Sequence, residues 1–445
     1  MQIGGEIKSL FLLTLQRLWI TIEFYGKNGL SNHASAGAYG FLLSAPPVLL
    51  IISFSAASLL ASFPELTAGM FEHIGSLFGV FDAGDFISGF LSAAAPGLAG
   101  FISAIPIFWA ARLCALSIQR SFVVIFPGKR QSPLKATALT LGLGAIIIIF
   151  LFTLIMIFGF KFALDIYGHE SFVLAWPFVQ FLLNLPPHAF LLPCLALIIL
   201  VFYRIVPAER PKWRYIIPGT LACMVFFQIF SAGFSMLVSP DRYNLIYGAL
   251  GTLFLLLVNV YFFFIFFLFG AQFIMVLGAS ETLLFIRFRQ QHSRMTNPGI
   301  EQPRKRSNKP GNLLRSKPWD KLFAAPPKPL EKYIQKYEIG DLIFSRGSQG
   351  QEVYYVLSGE AGVYLDDKCK NRIALIHEAQ FFGEMDSMES EGRSASIKAE
   401  TSLLVMSLPR ELFRSILQTD PDTDKNIIKA LSERLRTTTN KLDFE

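Results

Sequence analysis

Six stretches of this chain, about 36–61, 97–119, 138–162, 181–203, 215–238 and 246–279, are long and apolar enough to bury a whole helix in hydrocarbon. A bilayer core takes roughly 20 apolar residues per helix. No water meets the backbone there, so helices or closed barrels are the only spanning forms, and barrel strands are far shorter than these runs. The sequence therefore reads as an α-helical polytopic membrane domain of about six transmembrane helices. Gly97, Gly100 and Pro106 interrupt the second run. The sixth is longer than a bilayer requires, which predicts tilt or extension into the cytoplasm.

Loop charge sets direction, because Lys and Arg are retained on the cytoplasmic side. Residues 62–96 hold Glu65, Glu72, Asp82 and Asp85 but no Lys or Arg. The next loop holds Arg120, Lys129, Arg130 and Lys135, and the one after it only Lys161. Arg204, Arg210, Lys212 and Arg214 follow the fourth run, Arg242 follows the fifth, and Arg287 and Arg289 follow the sixth. The alternation predicts both termini in the cytoplasm. Residues 1–30 read as an amphipathic helix carrying Lys8, Arg17 and Lys27, lying at the membrane surface. No cleavage-like site follows a compact apolar core, so no signal peptide is expected.

Polar groups inside the runs have two readings. Ser44, Pro46 and Pro47 interrupt the first, and Gln228, Ser231 and Ser235 share a helical face in the fifth. Asn259 lies in the sixth and Arg112 in the second. Such residues either bond helix to helix or line a substrate path; Arg112, Gln228 and Asn259 are the candidates, Arg112 first because an intramembrane charge is costly. Cys114, Cys194, Cys223 and Cys369 form no C-x-x-C pair, so neither a disulfide framework nor a zinc site is expected. The six histidines are dispersed without carboxylate partners at metal-ligand or acid–base spacing. We expect no enzyme, no metal and no nucleic-acid partner.

Two blocks carry a resemblance: VFYRIVPAERPKWRYIIPGTLACMVFFQIF and LIYGALGTLFLLLVNVYFFFIFFLFGAQ. Their Tyr203, Arg204, Pro207, Trp213, Pro218 and Gly219, then Tyr247, Gly248, Leu250, Gly251, Gly270 and Ala271, resemble the YihY/BrkB family of bacterial inner-membrane proteins. Ala38, Tyr39 and Ser44 in SNHASAGAYGFLLSAPPVLLII extend the resemblance to about 30–280. The chain departs at Gln272, where the family carries an acid, and at an Asn-Val-Tyr run in place of a tryptophan. The resemblance implies a bacterial inner-membrane protein over 31–286, with a lipid-like or envelope-related transport substrate.

Composition then shifts twice. Residues 291–332 carry 10 Lys and Arg against 3 Asp and Glu, whereas 333–445 carry 14 against 19. The segment 287–332 mixes Pro, Ser, Asn and basic residues and reads as a mobile linker. It is either a solubilising tether or, through RKRSNK, a partner for anionic lipid.

From Tyr337 the pattern alternates apolar with polar in short runs broken by Gly340, Gly347, Gly350 and Gly359. That is the signature of strands joined by tight turns; helices near PRELFRSILQ and DKNIIKALSERLRTTTNKL close the domain, 333–445. We expect a cytoplasmic β-roll with flanking helices. Within it, Phe382-Gly383-Glu384 followed by Arg393-Ser394-Ala395 resembles the phosphate cassette of cyclic nucleotide-binding domains. The chemistry fits the spacing. A helix N-terminus offers free N–H groups to an anion, arginine adds a charge-assisted bond, and an ionised glutamate accepts from a ribose hydroxyl. By resemblance, Gly383 and Glu384 contact ribose, while Arg393, Ser394 and the Ala395 amide contact the phosphate of cyclic AMP or cyclic GMP, a regulatory ligand rather than a cofactor. The stretch Met385, Asp386, Ser387, Met388 and Glu389 departs from the family's small and leucine-like residues; inward-facing acids there would oppose an anion.

Three readings of the whole follow: a transporter-like membrane protein regulated by a nucleotide sensor, a membrane-tethered signalling scaffold, or a cyclic-nucleotide-gated channel. The channel is disfavoured, because only SPDRYNL joins the last two runs, too short for a pore helix and filter. An oligomer is compatible with each.

Overall fold

The computed structural model describes residues 2–43, 116–127, 187–238, 249–296, 322–365, 372–385 and 392–420, with a few isolated positions besides. Most of the first three apolar runs, together with Arg112, Pro46 and Pro47, lies outside the described residues, as do Asp386 to Ser390 of the cassette. Two compact units are formed: Thr21–Gly278, and Met1–Ile20 with Ala279–Glu445.

Helix α1 (Gln2–Lys27) is divided between the two units after Ile20, and in the first unit its end is followed by a turn at Gly29 and further helix over 30–43. Helices α2 (Leu116–Ile125), α3 (Pro187–Ile205), α4 (Trp213–Leu237) and α5 (Ala249–Gly278) follow. Among the described residues, Trp213–Leu237 and Phe254–Gly278 are long and apolar enough to cross a membrane.

The core of this unit gathers the residues that the sequence marked as motifs. Tyr203 is fully buried and donates its hydroxyl to the Phe267 carbonyl at 2.6 Å, its ring stacked 5.2 Å from that of Phe267. A Cβ at Gly270 would run into that hydroxyl and lie 2.8 Å from the Gly219 carbonyl; one at Gly219 would run into Ile274. Helices α4 and α5 therefore cross backbone to backbone, which is the use membrane helices make of small residues. Arg204 closes the α3–α4 turn, donating to the Pro211 carbonyl with its guanidinium 5.3 Å from the Trp213 ring centroid. Away from this crossing, Phe226, Phe227 and Phe230 of α4 interleave with Phe262, Phe263 and Phe266 of α5.

In the second unit, α6 (Ser280–Thr296) is followed, beyond residues outside the description, by α7 (Lys328–Glu331). Among the described residues, eight strands come next: β1 (Ile334–Tyr337), β2 (Leu342–Phe344), β3 (Val353–Ser358), β4 (Ala361–Tyr364), β5 (Arg372–Ile376), β6 (Phe381–Phe382), β7 (Ser396–Ala399) and β8 (Leu403–Leu408). Helix α8 (Arg410–Thr419) follows, with Pro409 at its N-cap, where its missing N–H costs nothing. The strands form two antiparallel four-stranded sheets, β1-β8-β3-β6 and β2-β7-β4-β5. Their shared core holds Tyr354, Val356, Ile397, Leu403 and Val405.

One boundary moves. The linker expected from residue 287 is helical to Thr296, and α6 is a packed part of this unit rather than a tether. Phe285 and Phe288 are buried, and the start of α6 is anchored by Glu281, which accepts from Lys332 at 2.7 Å and Tyr333 at 2.8 Å. The first turns of α1 belong here too, Gln16 donating to the Leu322 carbonyl at 2.6 Å.

Candidate functional site

The site is built on β6 and the turn that follows it. Period-two alternation sends neighbouring side chains to opposite faces of a strand, and the register pairs Tyr354 with Phe382 and Tyr355 with Phe381. One face therefore carries Phe382 stacked on Tyr354, 5.0 Å between centroids and 8° between planes, with Phe344 beside them. The other carries Phe381 and Tyr355, 4.9 Å apart, against the helices.

Gly383 then turns the chain at φ +77°, a conformation that favours glycine. Glu384 follows, only 2% exposed, and opens a helical turn with Met385. The chain returns at Gly392, φ +88°, to Arg393, itself 3% exposed.

Arg393 ties the site together. Its Nη1 donates to the Gly383 carbonyl at 3.0 Å and its Nη2 to the Glu352 carbonyl at 2.9 Å. The guanidinium lies 4.1 Å from the centroid of the Phe344 ring, a cation–π contact that burial strengthens. Its backbone is fixed as well: the amide donates to the Ser348 carbonyl, and the carbonyl accepts from Gly347. Space for the guanidinium depends on two glycines, since a Cβ at Gly350 or at Gly383 would stand 2.7 Å from its terminal nitrogens. Burial pushes the Tyr354 phenol upward and the Glu352 carboxylate adds to this, while Arg393 pulls the other way.

The structure thus brings Gly383 and Arg393 into direct contact, with Glu384 buried beside them. Ser394 is exposed and Ala395 half-buried, at the entry to β7. Sequence reasoning missed Phe344, Gly350, Glu352 and Tyr354. The aromatic positions carried a signal: Phe344, Tyr354 and Phe382 each sit in an apolar run at the parity that faces the roll interior.

The membrane candidates are placed differently. Arg112 is outside the described residues. Gln228 is exposed, and Asn259 donates to the carbonyl of Leu255 in its own helix at 3.1 Å. Ser235 likewise bonds back to the Ser231 carbonyl at 2.8 Å. Gln272 is fully buried and accepts from Asn28 at 3.3 Å.

Residues 21–288 match the family described as Virulence factor BrkB. The chain belongs to the BrkB family. Residues 334–420 of this BrkB-family protein match the cyclic nucleotide-binding domain, so a BrkB membrane domain precedes a cyclic nucleotide-binding domain in one chain. The second domain is 26% identical over 113 residues to the cAMP-activated global transcriptional regulator CRP of Salmonella typhimurium, covering 25% of this chain and 54% of that protein. It is 35% identical over 85 residues to the cAMP-dependent protein kinase type II regulatory subunit of Drosophila melanogaster, covering 19% and 22%. The chain thus spans about half the length of the bacterial regulators it matches. Among solved structures, the Thermus thermophilus catabolite activator protein is 32% identical over 25% of this chain and 55% of its own, with a TM-score of 0.22.

Proposed function

We propose that this BrkB-family protein crosses the bacterial inner membrane six times with both termini in the cytoplasm, and that its C-terminal domain binds a cyclic nucleotide which regulates the membrane domain. The observation that carries the ligand is the buried arginine. Among the described residues, Arg393 is the cation placed against the Gly383 turn, beside the buried Glu384 carboxylate. A cyclic nucleotide presents one phosphate charge and one ribose 2′-hydroxyl. Arg393, Ser394 and the Ala395 amide suit the first, and Gly383 and Glu384 the second. That relatives of this domain are named as cAMP-activated and cAMP-dependent supports cyclic AMP as the first ligand to try.

Titration of the full-length protein in lipid nanodiscs with cyclic AMP and cyclic GMP, followed by calorimetry, tests this. Heat of binding that disappears in Arg393→Ala is expected; no heat with either nucleotide would sink the sensor reading.

For the membrane domain, transport of a lipid-like or envelope-related substrate is proposed, without catalysis. The basic segment beyond α6 is proposed to lie against anionic lipid. A second reading, a signalling scaffold that moves nothing, is favoured by the placement of the polar candidates: Gln228 is exposed, and Asn259 is satisfied by its own helix. Substrate flux into reconstituted vesicles, compared with protein-free vesicles, separates the two.

A further inference from the structure

The exposed side of α4 measures a bilayer. Ile217, Leu221, Val225, Ile229 and Met236 are exposed, and at about 100° per residue they fall within an arc of about 120°. Gln228 and Ser235 are the polar residues on the same arc, and the Ser235 hydroxyl bonds back to Ser231. From Ile217 to Met236 a rise of about 1.5 Å per residue gives about 28 Å, close to a hydrocarbon core of about 30 Å. Trp213 stands one turn beyond this stretch, exposed, at the depth where tryptophan collects in membrane proteins. Arg210, Lys212 and Arg214 flank it and are exposed as well. Three cations therefore stand at the level of the lipid phosphates.

The turn that bears them is fixed at both ends. Tyr203 anchors the end of α3 through the Phe267 carbonyl at 2.6 Å, and Val206 and Pro207 are buried. The Lys212 carbonyl accepts from Tyr215 at 2.9 Å and from Ile216 at 3.3 Å, which starts α4. Arg204 is held inside the turn by the Pro211 carbonyl and the Trp213 ring. Arg214 lies 4.6 Å from the centroid of the Tyr215 ring and donates to its hydroxyl. Glu209 is the one acid between Arg204 and Tyr215. A fixed backbone presenting exposed cations loses little entropy when an anion arrives.

We propose that the α3–α4 turn is a binding site for the headgroup of an anionic phospholipid, with Arg210, Lys212 and Arg214 on the phosphate and Trp213 beside the glycerol and upper acyl chain. Arg204 is a positioning residue: it holds Trp213 and the turn and does not touch the lipid. The site rests on α4 spanning the bilayer, and not on the number of spans or their orientation. It is separate from the basic segment beyond α6, whose lipid contact is a matter of net charge. Basic residues between membrane helices take anionic headgroups by charge, and a tryptophan at the interface fixes the depth.

The test uses the full chain in detergent, with bound lipid counted by native mass spectrometry after addition of phosphatidylglycerol or phosphatidylcholine. The wild type is expected to retain phosphatidylglycerol about tenfold over phosphatidylcholine. The triple variant Arg210→Gln, Lys212→Gln, Arg214→Gln should bring the two lipids to near parity. The charge-matched triple Arg304→Gln, Lys305→Gln, Arg306→Gln in the basic segment should keep most of the selectivity, and Arg210→Lys with Arg214→Lys should keep it too. Should the first triple fail to fold, Lys212→Gln alone should lower the selectivity about threefold. Equal retention of the two lipids by the wild type overturns the site. So does selectivity that survives the turn variants, or that falls equally in both charge-matched triples, which would mark diffuse charge. Inorganic phosphate that displaces the lipid at millimolar concentration would mark a free-anion site and overturn the lipid assignment.

Discussion

Arg289 of α6 and Asp420, the C-cap of α8, form an ion pair at 3.0 Å with side chains only 8% and 9% exposed. Thr423 donates to the same Asp420 oxygen at 2.6 Å. A buried pair adds little net stability over an apolar pair, but removing one partner strands the other charge. Arg289→Ala should therefore destabilise the C-terminal unit by about 3 kcal/mol or more, seen as a lower unfolding temperature of the solubilised protein. The double variant Arg289→Met, Asp420→Leu should recover most of the loss. A single variant that unfolds like the wild type would show that the pair is not buried.

This pair also marks what the sequence hid. The alternating strands from Tyr337 onward were legible, because one buried face imposes period two, and the sequence singled out Gly383 and Arg393, which the fold brings into contact. Helix α6 was not separated from its surroundings. Its Leu283, Leu284, Phe285 and Phe288 repeat at helical spacing, yet Arg287 among them and Arg289 and Arg294 after them give the composition of a mobile linker. The missing information was tertiary: Asp420, more than a hundred residues away, neutralises Arg289. The partners of Arg393 were hidden for a related reason, since backbone carbonyls such as those of Glu352 and Gly383 leave no trace in side-chain chemistry.

Acid sensitivity should appear at Glu281. Burial alone would raise its carboxyl, but hydrogen bonds from Lys332 and Tyr333 outweigh this and hold it below the usual range. The unfolded chain therefore binds this proton more readily than the folded one, and stability is lost as pH falls through the folded value. That places the loss below about pH 4, the ordinary glutamate range. Lys332 is raised, chiefly by its bond to Glu281, so its share is present at neutral pH and is lost only as pH climbs through a value above the usual lysine range. Both side chains are more than a third exposed, so the pair contributes at most about 1 kcal/mol. Unfolding measured from pH 7 down to pH 3 should show a shallower acid arm in Glu281→Gln; identical arms would remove Glu281 from the account.

In the membrane unit, the α4–α5 crossing should tolerate no side chain at Gly270. A Cβ there meets the Tyr203 hydroxyl and the Gly219 carbonyl, and the first of these donates to Phe267 in the core. Gly270→Ala should cost about 1–3 kcal/mol by overpacking. The expected readout is a lower yield of monodisperse protein after detergent extraction and a lower melting temperature. Gly233 is the control, since a Cβ at that position meets nothing within 4 Å. Alanine is the better helix former, so propensity alone would stabilise both variants, and a loss at Gly270 no larger than at Gly233 would show that the crossing has room for a methyl group.

Gly350 offers a way to disturb the ligand site without touching a charge. Its own Cβ would stand 2.7 Å from Arg393 Nη2 and 2.9 Å from Nε, closer than real contacts allow, so the guanidinium must move off the Phe344 ring. The backbone at Gly350 is not in the left-handed region, so alanine brings the steric clash without conformational strain. A charge-assisted hydrogen bond is worth about 1.5–3 kcal/mol, so displacing the guanidinium should weaken nucleotide binding roughly tenfold to a hundredfold. Melting temperature should change little, because Gly350 lies in a loop outside both sheets. Gly383→Ala, by contrast, combines the same clash with a φ of +77° and should lose both binding and stability. Calorimetry on Gly350→Ala with affinity equal to the wild type would show that the nucleotide does not use the Arg393 position seen here.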